Sequence, residues 1–201
     1  MFDGWYDASK RPKHLHRGVV LTAQIDWELR ELVRIYDRIQ PKRVLEIGSQ
    51  EGGTLWYWLE GAQEGSVVVN IDILQNQTPE KREQLPMMWA TWPPFGVVYH
   101  GLIGRSDDPN IEAQAMKYLE GKIDFLFIDA LHTYKGSKYD FETYGKYVMP
   151  GGAIVLHDIM TPKFSPHIQV GRLWEEIQSA GYKTQELRAG ANMGGVGIVY
   201  T

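Results

Sequence analysis

The sequence predicts an α/β protein: a doubly wound, mostly parallel sheet of seven strands that ends in an antiparallel hairpin. Near-continuous apolar runs alternate with helical patterns, as in a parallel sheet covered on both faces. The last two runs, 183–187 and 196–200, are separated by residues 188–195 alone. That is too short for a crossover helix, so they must be antiparallel neighbours. The 201 residues, 43% hydrophobic and 12% aromatic, suit a single domain with a full-sized core, since domains commonly run to roughly 100–200 residues.

Residues 1–22 form an N-terminal arm, irregular in pattern, with a basic cluster from Lys10 to Arg17 that includes His14 and His16. Across 22–40 a leading helix is expected, because Ile25, Leu29, Leu32, Val33, Tyr36 and Ile39 share one helical face. Thr22 is its N-cap and Pro41 its terminator. The run 43–47 is a first strand that stops at Gly48, and 54–61 is compatible with helix. The β-branched segment 66–72 reads as a second buried strand, and 97–100 as a weaker third. A helix over 109–120 stops at Gly121, and 123–129 (IDFLFID) is the clearest strand. A helix near 133–148, a Pro-Gly-Gly turn at 150–152, a strand at 153–157 and a helix near 169–180 lead to the hairpin.

Residues 75–95 interrupt this alternation as an insertion. The charged half, Glu80 to Gln84, reads as a solvated helix face. The Pro/Trp/Met half, Leu85 to Phe95, needs a cover: as a lid over a substrate, a subunit contact, or an insertion packed on itself.

Composition excludes several function classes. With 21 Lys+Arg against 25 Asp+Glu the formal net charge is −4, which argues against a general nucleic-acid or anionic-membrane binder. Cysteine is absent, which removes disulfides, thiolate nucleophiles and Cys-ligated metals. Residues 1–18 lack the apolar stretch of a secretory signal, and nothing approaches the ~20 apolar residues of a membrane span. A cytoplasmic location is the expectation.

At the first strand–turn–helix junction, VLEIGSQEGGT (44–54) places Glu46, Gly48, Ser49, Gly52 and Gly53. Glycine lets the backbone approach a ligand, and doubly wound sheets bind ligands outside the carboxyl ends of their strands. The spacing is E-x-G-x-x-x-G, not the dinucleotide fingerprint G-x-G-x-x-G. Asp72 closes the next strand, where a carboxylate accepts both hydroxyls of a ribose. Glu46 has two readings, contact with a ligand or capping of the following helix's N–H groups.

Asp129 ends one strand, with His132 three residues later, and Asp158 ends another, preceded by His157. Neighbouring strand ends lie roughly 5 Å apart, so the two acids would converge. Like charges that close require a shared proton or a cation between them, and Mg²⁺ suits carboxylates plus water. Histidine titrates near neutrality and suits proton abstraction. The structural alternatives are Asp129 binding loop N–H groups, His132 capping the Thr133 helix, and His157 as a buried polar side chain. Clustering beside the glycine turn favours function.

These segments carry a family resemblance. VLEIGSQEGGT resembles motif I of class I S-adenosylmethionine-dependent methyltransferases, in its O-methyltransferase form. VVVNIDI is similar to their second-strand acidic motif, and GLIGRSDDP to the segment lining the adenine, which points to Ser106 and Asp107. IDFLFIDALHTYKGSKYDFETYGKYVMPGGAIVLHDI resembles the small-molecule group that includes cephamycin-pathway and macrolide-sugar O-methyltransferases.

The resemblance runs from about Val44 to Tyr200 and implies a Rossmann-like methyltransferase fold. It implies S-adenosylmethionine bound by Glu46, Gly48, Ser49, Gly52, Asp72, Ser106, Asp107 and Asp129, with Asp72 on the ribose and Glu46 near the methionine end. The D-x-x-H element implies a metal-binding Asp129 and a general-base His132, with the later metal-binding acid at Asp158. Where related enzymes carry an acid pair, this chain has His157 before Asp158, as a ligand, a group behind one, or a buried polar residue.

The implied activity is Mg²⁺-assisted O-methylation of a small hydroxylated acceptor, a sugar or natural-product scaffold. No nucleic-acid or membrane partner is expected, and a homo-oligomer is left open. One rival, an NAD(P)-dependent oxidoreductase, is opposed by the missing fingerprint and the antiparallel end. The other, a non-catalytic binding or assembly subunit, is opposed by the intact acids.

Overall fold

A computed structural model describes residues 5–7, 21–160, 165–190 and 194–201. Two short antiparallel strands, β1 (Trp5–Asp7) and β2 (Leu21–Ile25), pair Trp5 with Ile25 and Asp7 with Leu21. Helix α1 (Asp26–Ile39) follows directly and buries Leu29, Leu32, Val33, Ile35 and Tyr36. The expected helix over 22–40 therefore begins late. Thr22 lies in β2 and is no N-cap, because pairing with β1 takes the segment ahead of Asp26 into a strand. The basic cluster from Lys10 to Arg17 lies outside the described residues.

The main sheet comprises β3 (Arg43–Ile47), β4 (Val67–Asp72), β5 (Val98–Ile103), β6 (Ile123–Ile128), β7 (Val148–His157), β8 (Lys183–Leu187) and β9 (Val196–Tyr200), in the order β5-β4-β3-β6-β7-β9-β8. Strands β3 to β7 are parallel, and β9 runs antiparallel to both β7 and β8. This is the doubly wound sheet with an antiparallel end that the sequence predicts. The Pro-Gly-Gly turn does not precede β7 but lies inside it. Val148 pairs with Ile123 and Ala153 with Phe125, so residues 149–152 loop out opposite Asp124.

Helices α2 (Gly53–Gly61), α3 (Pro79–Trp89), α4 (Pro109–Tyr118), α5 (Tyr134–Gly145) and α6 (Val170–Ser179) connect the strands. Alternation along each strand sends its side chains into two cores. Val44, Val68, Phe125, Phe127 and Val155 pack with α1, α2 and the insertion. Leu45, Val69, Leu126, Ile128 and Leu156 pack with α4, α5 and α6. Within the insertion, Leu85, Trp89 and Trp92 are buried in the first core, whereas Met87 and Phe95 stand in solvent. Among the described residues no helix is long and apolar enough to cross a membrane.

Candidate active site

The carboxyl ends of the parallel strands open on a cavity of about 960 Å³. Each strand delivers a segment to it. These are Gly48–Glu51 after β3, Asp72 and the following loop after β4, Gly104–Asp107 after β5, Asp129–Thr133 after β6, and His157 and Asp158 at the end of β7. From the N-terminal side β2 adds Gln24 and Ile25.

The glycine turn is held by acceptors beneath it. Asp72 accepts the backbone N–H groups of Ser49 and Gln50 through Oδ2, both at 2.7 Å, and that of Leu74 through Oδ1 at 2.6 Å. Gly48 has φ +91°, and a Cβ there would lie 2.2 Å from the carbonyl oxygen of Asp129. Only glycine lets the end of β3 run this close to that of β6.

Gly52 is packed differently from Gly48. It does not line the cavity. Its φ is also +91°, but a Cβ would meet Trp89 Nε1 at 2.3 Å. The Trp89 indole lies against it and donates to the Glu51 carbonyl at 3.1 Å, while Lys81 reaches the Glu51 carboxylate at 2.5 Å. The glycine admits the insertion.

Glu46 does not cap the N–H groups of the following helix. It is fully buried and absent from the cavity wall. Its carboxylate accepts from the hydroxyls of Ser49 (2.7 Å) and Thr54 and from Trp58 Nε1 (3.2 Å), so it holds side chains and not the N–H groups of α2. Burial pushes it up to about 8 against these three hydrogen bonds. Ser49 Oγ accepts in turn from Asn70 Nδ2 at 2.9 Å, and Tyr99 donates to Asn70 Oδ1 at 2.6 Å. Asn70 is the signal the sequence offered, a polar residue inside the apolar run VVVNI.

Ser106 and Asp107 line the cavity. Asp107 is bound by Arg105 through Nε (2.7 Å) and Nη2 (2.6 Å). A residue the sequence reading missed stands beside them. Asp140 of α5 lines the cavity, is 1% exposed, and has an Oδ1 with no hydrogen-bond partner. Burial pushes its carboxyl up to about 6, opposed by the Ser106 hydroxyl and reinforced by Asp107. An orphaned buried acceptor of this kind costs roughly 1–3 kcal/mol.

At the ends of β6 and β7 the structure assembles Asp129, His132 and Asp158, whose donor atoms lie within 4.8 Å of one another. His132 Nε2 is 3.1 Å from Asp129 Oδ1 and 3.5 Å from Asp158 Oδ2. His132 caps no helix, because the Thr133 hydroxyl accepts from Gly136 N at the start of α5. Asp129 Oδ2 accepts from the Gln24 side chain at 2.8 Å rather than from loop N–H groups.

His157 stands outside this set of three. It lies behind it, with Nδ1 3.3 Å from Asp129 and 3.5 Å from Asp158 and neither ring nitrogen in a hydrogen bond. Burial disfavours its charge, but Asp129, Asp158 and Glu28 raise it to about 9. Burial likewise opposes ionisation of Asp129, and His157 and His132 overcome it and hold the carboxyl well below the usual range. The Asp129 hydrogen bond raises His132 against its burial. Behind His157, Glu28 of α1 is fully buried and accepts the N–H groups of Ala189 (2.8 Å) and Gly195 (3.1 Å).

Such a sheet, with its ligand cavity over the parallel strand ends, defines the class I methyltransferase fold. Residues 45–159 match a family described as a methyltransferase domain, and the chain belongs to that family. The fold is similar to the O-methyltransferase from Bacillus cereus, solved in complex with SAH: TM-score 0.61 and 17% identity over 87% of this chain and 80% of that one. It is also similar to TomG from Streptomyces achromogenes, an O-methyltransferase of tomaymycin synthesis in complex with SAM. There the TM-score is 0.65 and the identity 16%, over 87% and 79% of the two chains. Uncharacterized protein R132 of Acanthamoeba polyphaga mimivirus is 39% identical over 66 residues, and the match spans 32% of this chain and 30% of that protein.

Proposed function

We propose that residues 1–201 form one S-adenosylmethionine-dependent O-methyltransferase domain, with an arm at 1–22 and an insertion at 75–95, acting on a small hydroxylated acceptor. The observation that carries this reading is the Asp129–His132 pair, 3.1 Å apart on the wall of the cavity into which the Gly48 turn also opens. The negative net charge fits a small molecule better than a nucleic acid, and a cytoplasmic location goes with it.

The residues present fit the cofactor. Gly48 keeps the turn free of a side chain, and about 960 Å³ is ample for a ligand of this kind, since small-molecule pockets run to roughly 300–1,000 Å³. A carboxylate offers about four acceptor sites, and Asp72 gives two to the glycine turn and one to Leu74 of its own loop, which leaves capacity for a ribose hydroxyl. Gly48, Ser49, Asp72, Ser106 and Asp107 would hold it, the last two toward the base. When bound, S-adenosylmethionine supplies an electrophilic sulfonium methyl group.

The chain's own tasks are alignment and proton removal. The acceptor oxygen must be held in line with the departing bond, and the cavity wall around Leu131, His132 and Lys135 is placed for that. His132 takes the acceptor's proton, and Asp129, secured in its charged form, orients the ring and stabilises the resulting imidazolium.

A cation at Asp129, His132 and Asp158 is the second reading, favoured by the convergence of these three donors. Two carboxylates and an imidazole suit a divalent ion such as Mg²⁺ or a softer neighbour. When bound, it supplies positive charge that favours the deprotonated acceptor.

Incubation with methyl-labelled cofactor and a panel of hydroxylated acceptors tests the whole reading. Label transfer to an acceptor oxygen is expected, and no transfer to any acceptor refutes it. Repeating the assay after EDTA treatment decides the cation: full activity would leave Asp158 with a structural role.

A further inference from the structure

We infer that Asp140 recognises the base of the proposed cofactor by accepting a hydrogen bond from the exocyclic amine of adenine, an inference that rests on the cofactor reading above. Helix α5 turns one face to the cavity. Gly136 and Asp140, one turn apart, both line it, and Tyr144, a further turn along, donates to the Ser106 carbonyl at 2.7 Å. That bond holds the Asp140 face of α5 against the segment after β5, where the base is expected.

The chemistry of the carboxyl points to a donor from outside the chain. Asp140 is 1% exposed, and its Oδ1 is without a hydrogen-bond partner. The charged neighbour acting on it, Asp107, has the same sign. Asp107 was the acid expected at the adenine, yet it chelates Arg105 at the exposed rim. The Ser106 hydroxyl reaches the buried acid, yet its Oδ1 keeps no donor, whereas the exposed acid is paired. In its charged form Asp140 accepts and cannot donate. The 6-amino group of adenine is a donor that complements it. A 6-oxo base presents an acceptor at that position and leaves the carboxylate unpaired, and sites built around a buried hydrogen bond reject analogues that lack it.

Calorimetric titration of the full chain with S-adenosylhomocysteine and with its 6-oxo (inosyl) analogue tests this. The wild-type chain is expected to bind the adenosyl ligand about tenfold tighter or more. Asp140→Asn, whose amide can donate to a 6-oxo group, should narrow or reverse that ratio. Asp140→Ala should weaken the adenosyl ligand and leave the analogue little changed. An unchanged ratio, or equal losses for both ligands, overturns the inference and leaves the cofactor reading standing. A wild-type chain that binds no S-adenosylhomocysteine overturns both. If melting curves show that the variants do not fold, the wild-type chain titrated with N6,N6-dimethyl-S-adenosylhomocysteine decides. Affinity about tenfold lower or worse supports the inference, and equal affinity refutes it.

Discussion

The two sides of the cavity are built in opposite ways. At the ends of β3 and β4, Asp72 accepts three backbone N–H groups, Glu46 accepts three side-chain donors, and Ser49, Asn70 and Tyr99 extend the network. At the ends of β6 and β7, two carboxylates and two histidines crowd together, and both nitrogens of His157 lack a hydrogen bond. A satisfied network fixes one geometry, whereas a charged cluster with open valences keeps capacity for a proton, an ion or a ligand. On the proposed function, holding and reacting fall to different strand pairs, and substitutions on the two sides should differ in kind as well as size.

The largest effect belongs to the reacting side. His132→Ala should lower kcat by about 10²–10⁴-fold, the usual share of a general base, with S-adenosylhomocysteine affinity nearly unchanged by calorimetry. A variant that keeps its turnover breaks the division. On the holding side Asp72→Ala should do the reverse, weakening S-adenosylhomocysteine about 10–100-fold, because hydrogen bonds to charged groups contribute roughly 1.5–3 kcal/mol each. The melting temperature should also fall, since three N–H groups lose their acceptor.

A smaller effect sharpens the comparison. Trp89→Phe keeps a ring against Gly52 but deletes the bond to the Glu51 carbonyl. It should cost about 1 kcal/mol, read as a several-fold loss of cofactor affinity with kcat intact. If kcat falls instead, the insertion serves the reacting side.

The smallest effect is a pH signature. Glu46 is raised by burial to about 8 in the folded chain, well above its unfolded value. The folded state therefore favours the protonated acid, and that contribution, full at low pH, is lost as pH rises from about 4.5 through 8. Glu46→Gln mimics the neutral form. Its melting temperature relative to wild type should climb between pH 5 and pH 8, and a constant difference would show that Glu46 is charged throughout.

Much of the cavity's frame was legible because strand ends are. Gly48, Asp72, Asp129 and Asp158 each stop an apolar run, and a doubly wound sheet gathers such stops over one edge. Gln24, Glu28 and Asp140 were not legible in the same way. Gln24 meets Asp129 across 105 positions of sequence and Glu28 meets Gly195 across 167, and helical spacing reveals a face without naming what it faces. Asp140 looked like any polar residue of an amphipathic helix. The packing at Gly52 was hidden for a related reason. Its left-handed φ follows from the turn, but the group that excludes a side chain there is Trp89, which comes from a segment the pattern treated as an interruption. Thr22 shows the same limit at a boundary, where a partner strand set the start of the helix.

The position of β9 has a consequence for how the protein is made. It lies between β7 and β8 although it follows both in the chain. While the polypeptide is emerging from a ribosome, β7 keeps a bare hydrogen-bonding edge until residues 196–200 arrive, and such edges recruit other chains. The corner at Asp158 therefore closes only once β9 is in place, and a nascent chain that stops before residues 196–200 would be prone to aggregate.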